Sequence, residues 1–396
     1  VRHYLAPEVN QMLLLIKNIS VYSPGPIGNM DILVGGEEIL KISENIPSSD
    51  ILSMGGRLVD GTGMIAVPGF VDGHAHLIGG GGEGGFSTRT PEGFAGQFVD
   101  VGTTTVVGML GTDGITRDHA SLLAKVRDFN NKGLNAFMLT GSYRYPLKTL
   151  TGDLMKDIVL VPEIIGVGEV AVSDHRSSNM TAAELQRMAM DARVAGMLSG
   201  KSGVTVLHMG DARAGLKPLM EATDDGTLNP KQIIPTHIDR TERLLAEGLN
   251  WVKERDGYID FTADENRTAH ILADLHSRGY NFERFCVSSD GLGSMPIFHE
   301  QKNLIGIRSG PVDTLRKTFV SLVKEHGLEI QRALMPFTSN PSRFYKLDSS
   351  GLGFIKEGKK ANFLILNDEL EIKGVFSKGR FLKEGGSLYD RNGCVL

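Results

Sequence analysis

The chain has 396 residues, 41% hydrophobic and 22% charged, enough for one large soluble domain and a smaller companion. Its formal net charge of −5, with no basic block, excludes a nucleic-acid footprint. Two cysteines, Cys286 and Cys394, are too few and too far apart for a disulfide framework, and they fit a reducing, cytoplasmic setting.

The chain opens on strands. Met12-Leu13-Leu14-Leu15-Ile16 is stopped by Lys17, far short of the ~20 apolar residues that span a bilayer, so no membrane association and no signal peptide is expected. Met12–Tyr22, Asp31–Val34 and Glu38–Ile42 read as short strands between Pro and Gly turns. The last residues read alike, with strands over Asn362–Leu366, Glu371–Phe376 and Arg380–Lys383. Two β-rich ends around a different middle predict a small β-sandwich domain assembled from residues 1–66 and 344–396.

The middle, residues 67–343, alternates. Strand candidates are Gly69–Asp72, Thr104–Val107, Ala136–Thr140, Ile165–Val170, Val204–His208, Ile233–His237, Tyr258–Phe261 and Phe285–Ser289. Helix-like stretches lie between several of them: Arg117–Lys132, Ala182–Leu198, Arg240–Glu247 and Glu265–Arg278. Thr181 and Glu184 have capping-box spacing, and Gly133 and Gly279 stand where a helix-ending glycine belongs. Eight strands alternating with helices predict an α/β fold, a TIM (β/α)₈ barrel, with a doubly wound open sheet as the competitor. No internal repeat is present, and the one low-complexity stretch is the glycine cluster Gly79–Gly85.

The residues able to do chemistry fall at strand ends. His74 and His76 follow the first strand, Tyr143 the third, and Asp290 the eighth; Glu169 lies near the end of the fourth, and His208 and His237 close the fifth and sixth. In a TIM barrel these ends converge on one face. His74-Ala75-His76 puts two imidazoles on one side of an extended strand, where both can reach one ion. A His-x-His pair alone is more often two ordinary loop histidines, and a lone strand-end histidine is more often a satisfied core residue. Four such histidines with an aspartate make a metal site the stronger reading, and imidazole with carboxylate suits Zn²⁺. Asp290 precedes a glycine, as turn aspartates do, yet it could also shuttle a proton beside a metal. No Gly-x-Ser-x-Gly elbow supports a serine nucleophile, and no Gly-Lys-Ser/Thr follows the glycine cluster to make a phosphate cradle.

Val67-Pro68-Gly69-Phe70-Val71-Asp72-Gly73-His74-Ala75-His76 resembles the opening metal motif of the amidohydrolase superfamily. Asn340-Pro341-Ser342-Arg343, Gly353-Phe354-Ile355 and Glu357–Phe363 resemble the return from that barrel into a small β domain. Four further runs, Ser173–Ser178, Leu207–Asp211, Pro235–Arg240 and Ser288–Ser294, resemble the isoaspartyl dipeptidase family, and the likeness covers nearly the whole chain.

That resemblance implies a binuclear metallohydrolase that cleaves β-aspartyl dipeptides with a metal-activated water and releases aspartate. His74, His76 and Asp290 would hold one divalent ion, His208 and His237 a second, with Zn²⁺ the expected metal. Glu83 would take the substrate's ammonium, Arg176, Arg240 and Ser294 its carboxylates. Tyr143 would polarise the scissile carbonyl, and Asp290 would carry the proton. One ammonium and two carboxylates call for an acid and paired guanidinium forks, although either arginine alone would read as a structural ion pair and Glu83 alone as a solvated loop residue. The chain departs from better-known members at Glu169, which stands where they carry a carboxylated lysine. Glu169 is therefore expected to bridge the two ions itself. A homo-oligomer acting on a small dipeptide is the expected setting. The rivals are another amidohydrolase reaction, on a cyclic amide or an N-acyl amino acid, and a catalytically inactive scaffold.

Overall fold

The structure, a computed structural model, describes residues 13–264, 266–299 and 304–389. Met12, Glu265 and Cys394, named in the sequence reading, lie outside the described residues.

The N-terminal strands are β1 (Leu13–Tyr22), β2 (Pro26–Gly35), β3 (Glu38–Ser43), β4 (Arg57–Asp60) and β5 (Ile65–Pro68). The middle supplies β6 (Phe70–Ala75), β7 (Thr103–Gly108), β8 (Asn135–Thr140), β9 (Ile164–Val172), β10 (Val204–Met209), β11 (Ile233–Thr236), β12 (Ile259–Thr262) and β13 (Phe285–Ser288). A hairpin follows, β14 (Ser294–Phe298) and β15 (Leu304–Ser309). The C-terminal strands are β16 (Phe363–Leu366), β17 (Ile372–Ser377), β18 (Arg380–Glu384) and β19 (Ser387–Leu388).

Strands β6 to β11 pair in parallel and in chain order as one six-stranded sheet, and β12 pairs in parallel with β13. The ring closes across two seams. Ile238 N donates to Asp260 O at 3.2 Å, joining the β11 end to β12, and His76 N donates to Gly291 O at 2.9 Å, joining the β6 end to the β13 end. The result is a TIM barrel, with every strand at its expected place. Its strands are buried on both faces, which is why they read as continuous apolar runs rather than alternating ones. Helices lie between the strands. Thr181 and Glu184 make the expected capping box for the helix Ala182–Ser199, and Gly133 and Gly279 take the left-handed conformation after two others.

The two chain ends meet in one nine-stranded sheet, in the order β19-β18-β17-β16-β5-β1-β2-β3 with β4 on β1. In hydrogen-bonding terms it is a single sheet, and it forks at β1, whose first half pairs with β4 and second half with β5. A buried polar seam ties it to the barrel. Asn362 Oδ1 accepts from Asn135 Nδ2 and from Ser377 Oγ, both at 2.7 Å. Just before β16, Phe344, Tyr345, Leu347 and Leu352 pack with the inward residues of the barrel, and Tyr345 Oη donates to Gly73 O at 2.7 Å. Among the described residues no helix is long and apolar enough to cross a membrane.

Candidate active site

The C-terminal ends of the barrel strands gather the buried side chains His74, His76, Glu169, His208 and His237 into one cluster. Glu169, from β9, stands at its centre. Its Oε1 lies 3.4 Å from Nε2 of both His74 and His76. Its Oε2 lies 2.9 Å from His208 Nδ1 and 3.5 Å from His237 Nε2. Asp290 Oδ1 faces the first pair, 3.0 Å from His76 Nε2 and 3.7 Å from His74 Nε2. His237 and Asp290 are themselves in the left-handed region, at φ 60° and 48°, the kind of strained placement that collects at functional sites.

Two sets could therefore hold cations, His74-His76-Glu169 and Glu169-His208-His237, with the glutamate common to both. The donor set fits a divalent metal, because His74 Nε2 and Glu169 Oε1 are buried without a hydrogen-bond partner. Its electrostatics ask for positive charge. Burial disfavours a charged His76, but the Asp290 and Glu169 carboxylates outweigh it and raise the pKa to about 10. His74 is raised for the same reason, burial being outweighed mainly by Glu169. Burial opposes the Glu169 and Asp290 charges too, yet the surrounding imidazoles hold both carboxyls well below their usual range. His237 goes the other way, lowered to about 3 by burial and by the neighbouring His208.

A cavity of about 280 Å³ opens above the cluster, lined by His76, Tyr143, Arg176, His208, Arg240, Asp290 and Ser294 among others. Tyr143 Oη lies 2.7 Å from His208 Nδ1, and burial raises its pKa well above the usual value, so it is a proton donor at neutral pH. Glu83 Oε1 accepts from Ser294 Oγ at 2.8 Å and lies 3.4 Å from Arg176 Nη1. Arg240 Nη1 is 3.4 Å from His208 Nε2. The candidate site residues thus fall in the buried cluster or around the cavity above it, with Glu83 joined to that cavity through Ser294 and Arg176.

The sequence reading missed several supporting residues. Asp174 grips Arg176, with Oδ1 2.9 Å from Nε and Oδ2 2.8 Å from Nη2. Thr262 Oγ1 lies 2.6 Å from His237 Nδ1. Thr112 Oγ1 donates to Glu83 at 3.2 Å. Arg117 fastens the glycine cluster by donating to the carbonyls of Ile78, Gly80 and Thr90. Gly79 and Gly81 need to be glycine: both have positive φ, and a Cβ on either would come within 2.3 Å of a backbone oxygen of Thr90 or Thr88. Only Asp174 carried a readable sign, an acid two residues before a candidate arginine in the same loop.

The Amidohydrolase family profile matches residues 65–382. A solved β-aspartyl dipeptidase from Fervidobacterium islandicum AW-1, in complex with β-Asp-Leu, is 38% identical and superposes with a TM-score of 0.88 over 96% of this chain and 99% of that one. A dihydroorotase from Streptococcus thermophilus is 24% identical over 90% of both chains. A dihydropyrimidinase structure from Brevibacillus agri, 14% identical with a TM-score of 0.64 over 96% of this chain and 97% of that one, shares the fold.

Proposed function

The chain belongs to the amidohydrolase family, and from that premise we propose that it is a metal-dependent dipeptidase that hydrolyses β-aspartyl dipeptides to aspartate and a second amino acid. The observation that carries this reading is the charge pattern of the cavity. One acid, Glu83, and two guanidiniums, Arg176 and Arg240, surround the mouth of a carboxylate–imidazole cluster. A β-aspartyl dipeptide presents one ammonium and two carboxylates, the complement of that pattern. The solved neighbour holding β-Asp-Leu supports the same substrate class.

Two divalent ions are proposed, with Zn²⁺ suited to the ligands: one at His74, His76 and Asp290, one at His208 and His237, and Glu169 shared. When bound, such ions bring the pKa of a water toward roughly 7 and polarise a carbonyl. The chain's own groups supply the rest. Asp290 is ionised and faces the cavity, so it can take the proton of the attacking water and pass it to the leaving amine. Tyr143 keeps its proton and can donate to the developing oxyanion. Arg176, Arg240 and Ser294 hold carboxylates and Glu83 holds the ammonium, fixing the amide against the cluster. Catalysis is assigned to residues 67–343, with residues 1–66 and 344–396 as the small β domain, although Phe344 and Tyr345 at the head of the second segment pack inside the barrel. A homo-oligomer is also proposed. Leu160, at the end of the helix Leu154–Leu160, and Met197 and Leu198, at the end of the helix Ala182–Ser199 that packs on it, are 68%, 69% and 70% exposed, large apolar side chains that a second copy would cover.

A second reading, cyclic-amide hydrolysis, is favoured by the likeness to dihydroorotase. Such a ring has no free ammonium and would leave Glu83 facing no cation of the substrate. The deciding assay measures aspartate release from β-Asp-Leu and α-Asp-Leu, and ring opening of dihydroorotate, each with and without a chelator. Fast, chelator-sensitive cleavage of β-Asp-Leu alone is expected. Equal rates on both dipeptides, or activity on the ring only, would refute the dipeptidase reading.

A further inference from the structure

His208 faces a carboxylate with each of its ring nitrogens. Nδ1 lies 2.9 Å from Glu169 Oε2, and Nε2 lies 3.2 Å from Asp174 Oδ2. Two guanidiniums also crowd Nε2, Arg176 Nη2 at 3.1 Å and Arg240 Nη1 at 3.4 Å. The Tyr143 hydroxyl is nearer Nδ1, at 2.7 Å, than Nε2, at 3.3 Å.

A neutral imidazole has one N–H and one lone pair, and only the lone-pair nitrogen can bind a cation. Guanidiniums donate and never accept. Alone, the two arginines would draw the lone pair to Nε2 and leave the proton on Nδ1, the nitrogen that faces Glu169. Asp174 is the only carboxylate near Nε2 among the described residues, and a carboxylate can only accept. Its side chain is buried, and the same group closes a two-point clamp on Arg176. The loop after β10 presses against it, since a Cβ on Gly210 would come within 2.4 Å of Asp174 Cα and 2.6 Å of its Cβ.

We propose that Asp174 is a positioning residue that serves both halves of the site. Its carboxylate holds the proton of His208 on Nε2, which frees Nδ1 for a metal ion, and it holds the Arg176 fork at the mouth of the cavity. This rests on the metal-dependent dipeptidase reading. Partners of this kind behind a ligating histidine commonly change metal affinity by about 10–100-fold. In Asp174→Asn the amide can accept with its oxygen, but its NH₂ then points a donor at another donor. Whichever way the amide turns it fails one donor of Arg176, and with its NH₂ at the Oδ2 place it fails His208 as well.

The test uses the full chain loaded with zinc. Asp174→Asn, competed against chelators of graded strength, should hold one of its zinc equivalents about 10–100-fold more weakly than wild type. Its KM for β-Asp-Leu should rise, with far-UV circular dichroism unchanged. Gly210→Ala, which displaces Asp174 but keeps its charge, should give the same paired defect. Nitrogen-15 spectra of wild-type histidines should show His208 metallated at Nδ1 and protonated at Nε2. That measurement decides the matter if the variants do not fold. Unchanged zinc affinity with unchanged KM in folded Asp174→Asn, or zinc on Nε2 of His208, would overturn the proposal. If wild type ignores β-Asp-Leu while Asp174→Asn still loses zinc, the dipeptidase reading fails and the assignment of the His208 proton stands.

Discussion

The cluster has two halves that share Glu169 and differ in what stands behind their imidazoles. On the β10–β11 side each histidine has a protein partner for its outer nitrogen, Asp174 for His208 at 3.2 Å and Thr262 for His237 at 2.6 Å. On the β6 side Nδ1 of His74 and Nδ1 of His76 are buried with no partner among the described residues. That half is held from the front, by Asp290 at 3.0 Å from His76. One half is oriented by groups that do not face the cavity. The other depends on Asp290, the residue to which the proton transfer is also proposed to fall. Variants in the two halves should therefore fail in different ways.

The largest effect is expected from Asp290→Asn, which strikes the front-held half. It removes the proposed proton carrier and keeps most of the binding contacts, so kcat should fall by about 10²–10⁴-fold with a modest change in KM. A variant with near wild-type kcat would assign the proton transfer to another group. Glu169→Gln strikes what the halves share. Two dications held about 3.5–4 Å apart repel, and a bridging carboxylate offsets part of that repulsion. Zinc content should drop from two toward one per chain with a large loss of activity, and bicarbonate should have no influence on wild type. Two ions and normal turnover in the variant would show that Glu169 is no bridge. Thr262→Val strikes only the back-held half. It should weaken zinc retention by up to about 10–100-fold while kcat of the fully loaded enzyme stays close to wild type. Equal retention would mean that the partner behind His237 carries no weight. Arg240→Lys keeps the charge but loses the planar fork, so KM for β-Asp-Leu should rise about tenfold, the size of one charge-assisted hydrogen bond. An unchanged KM would make Arg240 structural.

The candidate ligands of both halves were legible in the sequence because strand ends carry positional information. A run such as Val204-Thr205-Val206-Leu207, buried on both faces, announces a barrel strand and thereby where His208 points. The groups behind those ligands were not legible. Thr262 is one threonine among many, and it matters only because β11 and β12 lie side by side. Arg117 acts on carbonyls 27 to 39 residues away in the chain, which no local pattern encodes. The hairpin of β14 and β15 was missed for another reason. Ile297 and Ile305 are 42% and 62% exposed and none of its described side chains is buried, so among these there is no buried face for periodicity to detect. The short strands β4 and β5 are defined by their neighbours on β1 rather than by their own four residues.

The smallest effect expected is on the pH dependence of stability after the metal is stripped, and it separates the halves by sign. His76, held between Asp290 and Glu169, has its folded pKa raised from 6.5 to about 10. A raised base binds its proton more tightly when folded, so its contribution is complete below pH 6.5 and fades as pH climbs through 10. His237, on the other side, has its folded pKa lowered from 6.5 to about 3 by burial and by His208. The unfolded chain then takes up a proton that the folded chain refuses, so stability is lost as pH falls from 6.5 toward 3. Chelator-stripped protein should therefore melt highest near pH 6.5 and lose Tm toward both extremes, with the alkaline arm resting on the β6 half and the acid arm on the β10–β11 half. Zinc should flatten the alkaline arm, because a bound cation replaces the protons of His74 and His76. His76→Gln should flatten it in stripped protein as well and leave the acid arm in place. A stripped protein whose Tm is level from pH 6.5 to 10 would mean that the front-held half binds no extra proton, and an alkaline arm that survives His76→Gln would assign that proton to His74 instead.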